Sequence, residues 1–337
     1  MTPSDVPKKP TIRDVAAAAG VSYGTVSRVL NGGHWVSPEA RAAVDAAIVS
    51  TGYTTNQAAR SLATGKTGSL AFLLTESQHV LLSDPNMALL LRGATDAVSE
   101  RGMTLVLLIA DTEREQANAA RYVRAGHVDG VLLVSSHESD DLLGSLVNAG
   151  VPTVCSGIPL WEGRTVAHVA IDEVGSARTM TRHLMDGGHR RIALITGPLD
   201  TPSGRFRLDG FRDELGDRFD GDLVEVVPFT REAGAEAMTR LLERAPDVDA
   251  VFAASDLLAV GAAQTLAAQG RRIPQDVALA GFDDSGLAAA HTPPLTTIRQ
   301  PWAQISATMV EMVLDAIAGG DPDAVVLPTT LVVRESA

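Results

Sequence analysis

Cysteine occurs once in the 337 residues, at Cys155, so no internal disulfide can form and the chain suits a reducing compartment. Its setting, VPTVC, is short and apolar, which reads as a buried strand residue and not as a reactive thiol. No stretch approaches the roughly 20 uninterrupted apolar residues that a membrane-crossing helix needs. Met1 to Pro10 is polar and proline-rich, without the apolar run of a secretory leader, so the expected location is the cytoplasm and no membrane partner is expected. Zinc-ligand spacing, a P-loop, a G-x-G-x-x-G turn and paired cysteines are all missing, which leaves a catalytic role, a metal or a cofactor without support.

Basic residues are also few, and the formal net charge of −13 looks wrong for a chain that binds nucleic acid. The distribution changes that reading. Residues 1 to 66 hold seven Lys/Arg against four Asp/Glu, whereas the remainder holds 21 against 37. Attraction to phosphate is therefore confined to the first fifth of the chain, and the anionic body repels it. A charge of only +3 per N-terminal segment argues for a dimer, because two segments double the phosphate contacts and their salt-dependent free energies add.

What is present in that segment is a run of short helical signals. Thr11 can cap a helix whose apolar positions Ile12, Val15, Ala16 and Ala19 recur at helical spacing, and Gly20 stops it. Ser22 caps a second helix that places Val26, Val29 and Leu30 in one arc. The opposite arc carries Gly24, Ser27 and Arg28, flanked by Tyr23 and Thr25, a donor-rich face suited to a major groove. Asn31-Gly32-Gly33 can end this helix with residues that tolerate positive φ. Ser37 then caps a third helix, with Pro38 at its first position, Glu39 at the positive end of its dipole, and Val44, Ala47 and Ile48 facing inward before Gly52. Of the outward side chains, Arg28 suits base reading best, because a guanidinium bridges O6 and N7 of guanine; a phosphate clamp is its alternative.

From Leu70 the pattern changes to short apolar runs alternating with helical stretches. LAFLL, TLVLLIA, GVLLV, VPTVC and VAHVAID read as strands, and RRIALITG, LVEVVPF, AVFAAS and VALAGFDD as a second series beginning near His168. The fold class expected is α/β, with two units of parallel sheet after a helical N-terminal domain. With 45% apolar and 20% charged residues, the chain is long enough to bury more than one core.

The strings VSYGTVSRVLNG, VSPEAR and NQAARSLATGKT, followed by GPLDTPSGRFRLDGF, ASDLLAVGA, LAGFDDS, PPLTTIRQPW and LVVRES, resemble the lac repressor family in order over Thr11 to Ser336. The resemblance implies a helix-turn-helix DNA-binding domain with a hinge helix over residues 1–66. It implies an effector-binding and dimerisation body over 67–337 of the two-lobed, periplasmic-binding type. The first lobe would span about 68–167 and 300–327, and the second about 168–299 and 328–337. The function implied is that of a transcriptional regulator, expected to be a repressor, bound as a homodimer to double-stranded DNA at a pseudo-palindromic operator and controlled by a small carbohydrate effector. The ending LVVRESA carries no leucine heptads, which favours a dimer over a tail-assembled tetramer.

Residue by residue, the resemblance assigns base reading to Tyr23, Gly24 and Arg28, although many relatives carry a longer side chain than Gly24. Ser22, Thr25, Ser27, Asn31, Ser37 and Asn56 suit phosphate positioning. Leu62 would wedge into a central base step from the minor groove, with Ala59 and Ala63 leaving room for a second hinge helix. Ligand contacts fall to Arg207, Ser255, Asp283, Gln300 and Trp302. A carboxylate and a guanidinium can satisfy paired hydroxyls, and an indole can cover apolar C–H surface. Arg207 could instead pair with Asp209 or Asp213 along its helix, and Asp283 could serve as an N-cap. Ser255 stands where relatives often have asparagine. One enzymatic alternative is the literal G-x-S-x-G of Gly20 to Gly24, with Asp283 and His291 in hydrolase order. It fails on context, since Ser22 follows an alanine-rich helix and no strand.

Overall fold

The computed structural model describes residues 10–30, 35–53, 65–138, 141–161 and 165–337. The chain divides into two compact units, residues 1–67 and 68–337.

The first unit is built from three helices, α1 (Ile12–Ala19), α2 (Tyr23–Leu30) and α3 (Pro38–Thr51). Local chemistry sets each boundary. Thr11 donates its backbone N–H and its hydroxyl to Asp14 Oδ2, both at 2.7 Å, at the start of α1. Ser22 Oγ accepts the Thr25 N–H at 3.1 Å, and Ser37 Oγ accepts that of Ala40 at 3.2 Å. Gly20 and Gly52 end α1 and α3 in the left-handed conformation, at φ 66° and 65°. Val15, Val26 and Val44 meet at 0% exposure, one from each helix, with Ala16, Val29 and Ala47 around them. The turn Asn31-Gly32-Gly33 lies outside the described residues, as does the segment 57–63 expected to form a hinge helix.

The second unit contains the strands β1 (Ser69–Leu74), β2 (Thr104–Ile109), β3 (Gly130–Val134), β4 (Thr153–Ser156), β5 (His168–Ile171), β6 (Ile192–Thr196), β7 (Val224–Val226), β8 (Ala250–Ala253), β9 (Ala278–Ala280), β10 (Thr297–Arg299), β11 (Ala324–Leu327) and β12 (Thr330–Val332). One sheet has six parallel strands in the order β11-β5-β4-β3-β1-β2. A second has four parallel strands, β7-β6-β8-β9, and β10 pairs antiparallel with β12. The central strands β3, β6 and β8 are buried at every residue, as strands covered by helices on both faces must be. Cys155 is buried in β4, where burial pushes its thiol up to about 12 and keeps it from acting as a thiolate.

The lobe boundary expected at His168 is corrected by this pairing. β5 joins the six-stranded sheet between β4 and β11, so the first lobe runs through Ile171 and the second opens with the helix Glu173–Asp186. Hydropathy marked the strand, but its partners decide which sheet it completes. The chain then returns to the first lobe at Gln300 and leaves it again after Leu327, where β12 runs back beside β10.

Two glycines record how closely helices approach in this unit. A Cβ at Gly93 would stand 2.9 Å from Ser306 Cβ, where the helix Pro85–Ser99 meets Trp302–Ile317. A Cβ at Gly261 would fall 2.0 Å from the carbonyl oxygen of Arg231, between the helices Asp256–Ala268 and Arg231–Arg244. Alanine has the better helix propensity, yet the overlap with rigid backbone outweighs a gain of about 1 kcal/mol. Gly261→Ala is expected to lower unfolding stability by about 1–3 kcal/mol in urea denaturation; unchanged or raised stability would contradict this packing.

Candidate functional site

The first unit presents the outer face of α2. Tyr23 is 56% exposed, and Gly24 and Arg28 are exposed beside it. Arg28 lies along the helix with Nε donating to the Gly24 carbonyl at 3.1 Å. A Cβ at Gly24 would meet only Arg28 Nη2 and Ser22 Oγ, each at 3.8 Å, so the face has open room there. Thr25 and Ser27 are half-buried, and the Ser22 hydroxyl also shares a hydrogen bond with Thr25 Oγ1 at 2.9 Å. Ser37, exposed at the head of α3, is occupied as an N-cap. Asn31, Asn56, Ala59, Leu62 and Ala63 lie outside the described residues.

In the second unit, a cavity of about 210 Å³ opens at the carboxyl ends of the strands of both sheets, where ligands of open α/β folds bind. Arg207, Ser255, Asp283, Gln300 and Trp302 all line it. Arg207, Gln300 and Trp302 meet at Asp283. Asp283 follows β9 at φ 113° and is 3% exposed. Its Oδ1 accepts from Gln300 Nε2 at 2.7 Å and lies 3.7 Å from Arg207 Nη1. Its Oδ2 accepts from Asn86 Nδ2 at 2.8 Å, and its carbonyl accepts the indole N–H of Trp302 at 3.3 Å. Burial holds this carboxyl well above the ordinary range; the Arg207 charge opposes that, while Asp256 and Asp84 add to it.

Arg207 pairs with neither Asp209 nor Asp213, the partners its helix offered. Its guanidinium is buried, donates to Glu173 Oε2 at 2.7 Å and to the Ala254 carbonyl, and lies 3.7 Å above the Phe282 ring. Burial works against its charge, and Glu173 and Asp283 more than offset that. Asp283 is not an N-cap; Ser285 occupies that place before the helix Gly286–Ala290. Ser255 caps the helix Asp256–Ala268 through the Leu258 N–H at 3.1 Å, so its hydroxyl reaches the cavity already engaged as an acceptor.

Sequence reasoning missed four residues here: Glu173, Asp84, Asn86 and His137. Glu173 and His137 follow β5 and β3, so the preference of ligands for strand carboxyl ends is a signal that points to both. Asp84-Pro85-Asn86 carries only the signature of a helix start. His137 closes the rim between the lobes. Its Nε2 lies 3.1 Å from Glu76 Oε1, after β1, and its Nδ1 lies 3.0 Å from Asp200 Oδ2, after β6. The Glu138 N–H donates to the Asp200 carbonyl at 2.8 Å, and Arg205 pairs with the Glu138 carboxylate.

The segment 11–56 matches the model for bacterial regulatory proteins of the lacI family, and residues 181–337 match that for a periplasmic binding protein-like domain. The chain is similar to the HTH-type transcriptional regulator CelR of Thermobifida fusca, with 45% identity over 335 residues and 98% of each chain covered. It is similar to a solved transcriptional regulator CelR–cellobiose complex at 43% identity and TM-score 0.78, covering 98% of this chain and 100% of that one. It also resembles the lac repressor dimer bound to operator and the anti-inducer ONPF, at 26% identity and TM-score 0.87, covering 98% of this chain and 99% of that one. Among the described residues no helix is long and apolar enough to cross a membrane.

The rim contact carries a pH signature. The hydrogen bond to Glu76 raises the His137 pKa to about 9, with Asp200 adding to it and burial opposing it. A folded value above the ordinary 6.5 means that the stabilisation is complete below about pH 6.5 and is lost as the pH rises through about 9. The melting temperature is therefore expected to fall over that interval, and to fall less in His137→Asn. Parallel profiles for the two proteins would show that the imidazole does not hold the rim.

Proposed function

The chain belongs to the lacI family of bacterial regulatory proteins and is a DNA-binding transcriptional regulator, and we propose that it is a repressor whose grip on operator DNA is released by a sugar held between its lobes. Two copies insert α2 into successive major grooves of a pseudo-palindrome, with half-sites roughly 34 to 36 Å apart. Tyr23 and Arg28 read base edges. Gly24 lets the backbone come close, while Ser22, Thr25, Ser27 and Ser37 serve phosphate positioning together with Asn31 and Asn56. Leu62, between Ala59 and Ala63, takes the minor groove. A regulator that acts on DNA is expected to work in the cytoplasm, and we propose no reaction for it.

The observation that carries the effector reading is the convergence on Asp283. Donors from the first lobe (Asn86) and from the crossing segment (Gln300) share this carboxylate with a guanidinium of the second lobe (Arg207). A ligand that competes for any of these groups changes what the lobes share. Trp302, oriented through its indole N–H, offers a flat face for sugar C–H surface. Cellobiose is the first effector to try, because the similar CelR regulator was solved with it. Binding energies are reciprocal, so DNA weakens the effector by the factor by which the effector weakens DNA.

Fluorescence anisotropy on labelled upstream fragments tests this. Cellobiose or a related β-glucoside is expected to lower operator affinity in the full-length protein. Arg28→Ala is expected to cost about 1–3 kcal/mol of specific binding while leaving sugar binding unchanged. Equal affinity for operator and random duplex, with and without sugars, would end the proposal.

A further inference from the structure

Asn86 sits at the start of the helix Pro85–Ser99, its N–H accepted by Asp84 Oδ1 at 2.9 Å, and it is only 6% exposed. Its Nδ2 donates to Asp283 Oδ2, 2.8 Å away. That leaves Oδ1, a buried acceptor in the cavity wall, with no donor among the described residues. A buried amide oxygen left unpaired is costly, and a cavity wall is where a ligand can supply the missing donor.

The neighbouring groups define what kind of ligand that is. Asp84, half-buried in the same wall, and Glu76 near the rim are further acceptors. Among the described residues, the cationic side chains lining the cavity are Arg207, committed to Glu173 and Asp283, and His137, committed to Glu76 and Asp200. An incoming anion would meet carboxylates and find both cations already paired. A hydroxyl meets an acceptor that lacks a donor.

Resting on the effector reading above, we propose that Asn86 is a specificity-determining residue: its Oδ1 accepts a hydroxyl hydrogen of a neutral sugar, and this wall, Asp84 included, discriminates against phosphorylated and acidic sugars. The residue acts by direct contact with the effector, and its link to Asp283 ties occupancy of that contact to the carboxylate that both lobes share.

Calorimetric titration of the full-length protein with cellobiose, its monodeoxy analogues and cellobiose 6′-phosphate tests the assignment. Expected results are about tenfold weaker cellobiose binding in Asn86→Ala and about tenfold weaker binding of one monodeoxy analogue to the unaltered protein. That same analogue and cellobiose should bind Asn86→Ala alike, a coupling that a purely structural role for Asn86 does not produce. The phosphate should bind the unaltered protein at least tenfold more weakly than cellobiose does. Equal cellobiose binding by both proteins, or additive losses in the analogue series, overturns the role of Asn86. Phosphate binding as tight as that of cellobiose overturns the charge discrimination. The deoxy series on the unaltered protein needs no variant to fold, and a series in which every hydroxyl is dispensable also overturns the role. Failure of the unaltered protein to bind any neutral sugar removes the effector reading itself, and this inference with it.

Discussion

The body of this protein is organised around the need to keep one buried carboxylate satisfied. Asp283 follows β9 with a backbone conformation that non-glycine residues seldom adopt, φ 113°, and Asp284 comes next at φ 52°. Such strain persists only where the surroundings over-determine it. Here they do. Asp283 takes amide donors from Asn86 and Gln300, while Asp284 is gripped by Arg299 at the end of β10 and Arg334 just after β12, each at 2.6 Å. The two adjacent carboxylates thus face opposite tasks, one toward the cavity and one toward the strands that carry the chain between lobes.

That placement makes the cavity more than a container. The six-stranded and four-stranded sheets meet through the crossings after Ile171, at Gln300 and after Leu327, and Gln300 is itself one of the Asp283 donors. At the opposite rim, His137 and Glu138 of the first lobe reach Asp200 and Arg205 of the second. The exposed Arg205–Glu138 pair adds little by itself, since solvent screens it. The half-buried imidazole between two carboxylates is the stronger link. A cleft held at its base by hydrogen bonds to a buried acid and at its mouth by a titratable contact has few ways to change, and both run through groups a ligand can touch.

Much of the scaffold was legible in the residues. Thr11, Ser22 and Ser37 announced three helix starts and Gly20 and Gly52 two helix ends, because caps are decided by near neighbours. Apolar runs such as LAFLL and GVLLV announced buried parallel strands. Arg207, Asp283, Gln300 and Trp302 were placed through family resemblance, and the fold brings them together around one cavity. The rest depended on distance along the chain. Asn86 meets Asp283 across 197 positions, and no local pattern encodes that meeting. VAHVAID reads rightly with the first series of strands, but the lobe boundary near His168 falls short of its end at Ile171, because only the pairing with β4 and β11 shows where that sheet is completed. Glu173 reads as an ordinary acidic first-turn residue until its fold neighbour Arg207 is known.

The empty space above Gly24 bears on how such a regulator diverges. Its α-carbon faces outward with no atom close enough to resist a methyl group, so the surface that faces the operator in our reading holds an unused letter. A duplicated copy of this gene could acquire a new target preference by one codon change there, with the three-helix core of Val15, Val26 and Val44 undisturbed and the sugar response in the body inherited intact.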